Sequence, residues 1–233
     1  MNSLEIPETC GVILLPDTVL FPHGGMPLHI FEPRYQEMIN DAMEGNCMFC
    51  VGNLLGDDSA DPERCAAPVG TIGLIRASRE SENGTSNLLL HGVFRVYFEE
   101  WLDDKTYPHA KIRPILDTTL SSDEEVEYLG RLRRAINRTL SSFPSEVNEQ
   151  VNSTLDKAGD SATCSDAVAQ QFIHDPNDRQ RLLETPEVRK RIDFLIKFLK
   201  NFTSSIILKI PNRLVDGYGP NIKLMKEMLD SKV

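Results

Sequence analysis

The chain has 233 residues, 40% hydrophobic and 26% charged, an ordinary globular balance long enough to bury a substantial core in one large domain or two small ones. Asp and Glu outnumber Lys and Arg by 35 to 25, and a formal charge of −10 argues against a surface built to neutralise phosphates. No apolar stretch approaches the roughly 20 residues that span a bilayer, and Glu5 and Glu8 stand where a signal peptide carries basic residues, so neither a membrane anchor nor a leader is expected.

From Gly11 to Asp117 the chain reads as short apolar runs broken by Gly and Pro, which is the pattern of strands. The runs lie at 12–16, 26–31, 48–55, 69–77, 87–101 and 110–116. Asn83-Gly84 tolerates positive φ and suits a hairpin tip between the fourth and fifth runs. A helix interrupts the strands where Pro33 follows Glu32, with Tyr35, Met38, Ile39, Ala42 and Met43 at helical spacing and Gly45 as its stop. Residues Gly56 to Pro68 are polar and aperiodic and are expected to form a loop.

After Ser121 the pattern becomes helical. Ser122 to Glu125 reads as a capping box, followed by Val126, Leu129, Leu132, Ile136, Leu140 and Phe143 on one stripe. Val147, Val151 and Leu155 follow Ser145, and Val168, Phe172 and Ile173 follow Ser165, with the segment 157–165 between them expected as a linker. Thr185-Pro186 introduces a long helix whose Val188, Ile192, Leu195, Leu199 and Phe202 face one way. The tail admits a short strand at 205–210 and a final helix from Pro220. The domain boundary is expected near residue 118, with residues 1–118 β-rich and 119–233 a helical bundle with a tail.

The segment 12–45 resembles the opening motif of the Lon amino-terminal (substrate-binding, PUA-like) family. The likeness rests on Leu15-Pro16, the Val19-Leu20-Phe21-Pro22 turn, the Met26 to Phe31 strand and the Glu32-Pro33-Arg34-Tyr35 helix start. Val69 to Gly73 and Leu90 to Val96 resemble two later strands of that family, and Arg179 to Thr185 resembles its helical bundle. The resemblance implies an α+β fold: a PUA-like pseudo-barrel of about six strands with an inserted helix, then an all-α bundle. It also implies a free-standing substrate-binding module. The family's ATPase and peptidase are expected to be missing, since no G-x-x-x-x-G-K-[ST] loop occurs and no Ser or Lys here inherits the peptidase dyad.

The chemically suggestive residues have simpler explanations. Cys47 and Cys50 form a C-x-x-C, yet residues three apart on a strand face opposite sides and cannot share a metal. His23 and His29 flank Gly24-Gly25 with no ligand set at a diagnostic spacing, and Glu32 with Arg34 reads as a helix cap and local ion pair. Asp57-Asp58 and Asp123 to Glu125 read as solvated surface and a helix amino terminus. No catalytic residue, metal ligand or cofactor is expected.

The expected function is that of a non-catalytic module holding unfolded or partly folded polypeptide, or a dedicated protein partner. Phe21, Pro22, His23 and Met26 are the candidate binding residues, and the loop 56–68 is a second candidate surface, because binding residues gather on loops of rigid scaffolds. An adaptor docking onto a separate protease or chaperone is the alternative, a homodimer is left open, and an RNA-binding PUA-like protein ranks below both. Five cysteines without the pattern of a disulfide framework point to a reducing cytoplasm.

Overall fold

The computed structural model describes residues 5–55, 61–80, 85–141, 143 and 145–208. Its strands coincide with the six apolar runs: β1 (Thr9–Pro16), β2 (Gly25–Ile30), β3 (Met48–Leu54), β4 (Val69–Glu80), β5 (Ser86–Leu102) and β6 (His109–Ile115). They form one sheet in the order β2-β5-β4-β3-β1-β6, and β5 pairs with β6 as well, so β1, β3, β4, β5 and β6 close into a barrel. The length of β5 makes this possible: Ser86 to His91 pairs with β2, and Arg95 to Leu102 pairs with β6. Register shifts between Ile72 and Gly73 and between Phe98 and Glu100 bend the two long strands around the closure.

β1 and β3 run parallel, which requires a crossover, and helix α1 (Pro33–Glu44) supplies it. Pro33 opens α1, and Tyr35, Met38 and Ile39 are buried on the barrel. The helix lies so close to β1 that a Cβ at Gly11 would collide with the Met38 side chain. Met43 is exposed, because it sits at the margin of the face that Tyr35, Met38 and Ile39 define. Gly45 follows the helix at φ −102, so the left-handed position expected there falls instead on Cys47, at φ 59. A four-residue helix, α2 (Pro62–Cys65), stands inside the segment expected as loop. The expected hairpin tip at Asn83-Gly84 lies outside the described residues, although β4 and β5 pair out to Glu80 and Ser86.

The helical half comprises α3 (Ser122–Leu140), α4 (Ser145–Lys157), α5 (Ser161–Phe172), α6 (Pro176–Leu183) and α7 (Val188–Leu208). The capping box falls one residue before its expected place: Ser121 is the cap and Glu124 its reciprocal partner, leaving Glu125 free to accept from the Ser161 backbone N–H. Val126 is exposed, since at 3.6 residues per turn it lies about 110° from the centre of the buried face of Leu132, Ala135, Ile136, Thr139 and Leu140. α5 begins at Ser161 and not after Ser165, because the Asp160 carboxylate accepts from Thr163 N–H and caps it, so most of the expected linker is helix. Asp175 and Pro176 start α6, a helix that the apolar spacing does not mark. Residues 205–208 continue α7 where a strand was expected, with no Gly or Pro before Pro211 to end it. The expected helix from Pro220 lies outside the described residues.

Two apolar clusters result. One fills the barrel and the underside of α1, with Val12, Leu14, Leu20, Met38, Phe49, Ile72, Leu90 and Val96. The other centres on Leu132, Ile136, Leu155, Val168, Ile192, Leu195 and Leu199, and it includes Val19, Phe21 and Val69 from the strand half. The bundle core therefore extends onto the outside of the barrel.

Candidate functional site

The turn from Asp17 to Gly24 is held from both halves of the molecule. The Thr71 hydroxyl donates to the Leu20 carbonyl at 2.6 Å, His23 N–H donates to the Gly92 carbonyl at 2.9 Å, and Gly92 N–H returns a bond to Gly24. A Cβ at Gly92 would collide with the Phe21 carbonyl, so β5 needs glycine where the turn crosses it. From the bundle, Arg179 donates to the Val19 carbonyl at 2.6 Å, to Ile173 at 2.9 Å and to the Gln170 side chain at 3.1 Å, while its guanidinium stacks 5.2 Å from the Phe21 ring centroid.

This arrangement divides the four candidate binding residues. Phe21 is wholly buried where it joins barrel to bundle, while Pro22 is buried but borders the cleft described below. His23 is exposed at φ 62, and Met26 is half-buried against the barrel core. Elsewhere, His29 is exposed, bonded to Asn87 at 2.9 Å and stacked on Phe31. Glu32 pairs with Arg34 at 2.9 Å but makes no side-chain cap bond. Cys47 lies before β3, and Cys50 is wholly buried within it.

Behind the turn, four charged side chains bind the halves together. Arg95 on β5 donates to both oxygens of Asp166 on α5 and to the Leu183 carbonyl at 3.1 Å. Arg191 on α7 donates to both oxygens of Asp117 at 2.5 and 3.0 Å, to Ser165 at 3.1 Å and to the Thr185 carbonyl. Arg95, Asp166 and Arg191 are each at most 2% exposed, so these charges are neutralised away from water.

Beside this network opens a cleft of about 700 Å³ between the barrel wall and the amino-terminal ends of α3 and α5. Its apolar surface comes from Pro22, Leu74, Val93, Phe94, Ile115, Leu120, Ala162 and Val188. His23, His91 and Arg76 line the barrel side, and Glu125 and Asp160 line the helical side. The rings of His23 and His91 lie 6.5 Å apart, edge to face. Burial, followed by the nearby charges of Arg76 and His23, holds the His91 pKa below the usual histidine range. Arg76 is exposed on β4 with no ion-pair partner among the described residues. Among the described residues no three His, Cys, Asp or Glu side chains converge as a metal site.

The cleft therefore offers apolar contact flanked by opposite charges, a surface that suits binding by an extended chain. Of the residues lining it, the sequence reading names Pro22 and His23 as binding candidates and does not single out Arg76, His91, Glu125 or Asp160 for binding. Those four come together because β4 and β5 are bulged, which has no local sequence signal, and because α5 starts early at the Asp160 cap. Among the described residues β2 is an edge strand, paired only with β5, and its Pro27 has no N–H to offer.

The chain matches the model of the ATP-dependent protease La (LON) substrate-binding domain over residues 9–201. It is 24% identical over 217 residues to the Lon protease of Dictyoglomus thermophilum and 26% identical over 221 residues to Lon protease 2 of Myxococcus xanthus, matches that cover 91% and 92% of this chain. It spans 26% of the length of each of these relatives. Among solved structures, the amino-terminal domain of the Mycobacterium avium complex Lon protease superposes with a TM-score of 0.65 at 15% identity, covering 83% of this chain and 98% of that one. A Lon amino-terminal domain protein from Xanthomonas campestris gives 0.57 at 20% identity, covering 81% and 97%. At these identities the superpositions speak for the fold, while the match over residues 9–201 carries the kinship: barrel, crossover helix and bundle together belong to the Lon substrate-binding domain family.

Proposed function

We propose that this chain is a non-catalytic binding module, and that an unfolded or partly folded polypeptide lies extended in the cleft between barrel and bundle. The observation that supports it is the cleft itself: an apolar wall from Leu74, Val93 and Phe94 with His23, His91 and Arg76 on one side and Glu125 and Asp160 on the other. An extended segment presents alternate side chains to opposite sides, so it can place apolar groups on the floor and polar groups at both rims. Of the residues expected to bind, Pro22 and His23 line the cleft, and Met26 follows them on β2, packed against the barrel core. No hydroxyl or thiol in the cleft is hydrogen-bonded to His23 or His91 among the described residues, which favours holding over hydrolysis. The net charge of −10 favours polypeptide over RNA. The free state of all five cysteines is the state a reducing cytoplasm maintains, and we place the protein there.

The test is fluorescence anisotropy of a labelled, uncharged peptide that alternates apolar and polar residues, with the full chain titrated in. Binding that Thr163→Trp blocks by filling the cleft, and that His23→Ala weakens, supports the proposal. Undiminished binding to the filled variant, or cleavage of the peptide by the chain alone, would sink it.

A further inference from the structure

A second groove, sharing no lining residue with the cleft, runs between α3 and α7. It encloses about 450 Å³ and is lined by Arg131, Arg134, Arg138 and Lys200 over a floor of Ala135, Thr139 and Ile196. Four cations around one groove stand out in a chain whose Asp and Glu exceed its Lys and Arg by 35 to 25. We propose that this groove docks an acidic segment of a polypeptide partner, independently of the cleft.

Charge and geometry agree on that occupant. Arg131 is neutralised by Asp193 at 2.8 Å at one end of the groove. Arg134 and Arg138 are exposed and have no ion-pair partner among the described residues, although Arg138 also complements the negative end of α3 from its last turn. The Thr139 hydroxyl donates inward to the Ala135 carbonyl at 3.1 Å, so the floor has met its own hydrogen bonds. The guanidinium donors of Arg134 and Arg138 are thus the groups left to bind. Four residues of helix place them about 6 Å apart along the axis, close to the 6.6–6.8 Å or so between alternate side chains of an extended strand. Glu or Asp at every second residue would meet both. Nucleic acid fits less well, because among the described residues no aromatic ring lines the groove for a base to stack on and the net charge of −10 repels a long polyanion.

The experiment uses the full chain and a fluorescein-labelled peptide of about eight residues alternating Glu and Thr, with a Lys and Thr peptide and a single-stranded oligouridylate as comparisons. At about 50 mM salt the Glu peptide is expected to bind and the Lys peptide not, with affinity falling as salt rises to about 300 mM. Arg134→Glu with Arg138→Glu should weaken the Glu peptide by about tenfold or more, Arg134→Gln with Arg138→Gln by less, and Arg64→Glu on α2 should change nothing. An unchanged melting curve for both double variants shows that fold is not at issue. Equal binding by the Glu double variant, no binding by the native chain, or tighter binding of oligouridylate through the same arginines overturns the proposal. The uncharged peptide should still bind the double variant, so failure here is distinguishable from failure of the cleft.

Discussion

Arg95 and Asp166, 71 residues apart, meet side by side at the boundary between barrel and bundle, each 2% exposed. Removing one partner from such a pair leaves the other charged and unsolvated, whereas replacing both with apolar groups removes the difficulty. Asp166→Ala should therefore cost about 3–5 kcal/mol in urea unfolding. Arg95→Met combined with Asp166→Leu should recover most of that loss. A cost below about 1 kcal/mol for the single variant would mean that the Arg95 charge finds water in the native state.

The two halves should unfold together. Val19, Phe21 and Val69 belong to the bundle core, and Arg179 fastens the turn that carries the first two. Trp101 is the single tryptophan and packs on Phe98 within the strand half, so its fluorescence reports the barrel while far-ultraviolet ellipticity is weighted to the helices. The two transitions are expected to coincide in the native chain and to separate in Arg179→Ala. Arg179→Lys should fall between them, because an ammonium cannot hold three acceptors and lie flat on Phe21 at once.

The strands were legible because each is a short run of β-formers ended by Gly, Pro or polar residues, and α1 because Pro33 and its apolar spacing agree. What escaped was set by contacts distant in sequence. Phe21 carries the same signal whether it is displayed or buried, and its fate depends on Gln170 and Arg179, about 150 residues away. The start of α5 was lost because Ser161 to Ser165 is polar in composition yet buried at Ser161, Cys164 and Ser165. Asp160 before Ser161, and Asp175 before Pro176, were readable capping signals passed over in favour of apolar periodicity. The cleft had no sequence signature, since its walls come from β4, β5, α3 and α5.

The thiols should divide by burial. Cys10, Cys50 and Cys164 are buried, and Cys47 and Cys65 are half-buried. Burial pushes the Cys164 thiol up to about 11 and raises Cys50 as well, which suppresses the reactive thiolate in both. An aromatic disulfide reagent at about pH 8 should therefore modify two thiols promptly in the native protein and all five after denaturation. Prompt reaction of Cys164 would show that α5 opens readily.

Acid should weaken the fold before any carboxylate pair is lost. Burial first, with Arg76 and Arg179 beside them, lowers the pKa values of His91 and His174 below the unfolded reference of 6.5. A depressed folded pKa means that the unfolded chain binds the proton more readily, so the contribution is present in full above 6.5 and declines as pH falls from there through the folded values. Urea midpoints should accordingly drop between about pH 7 and pH 5.5. Replacing both His91 and His174 with Gln should flatten that slope. A slope unchanged by the double replacement would assign the acid sensitivity to other groups.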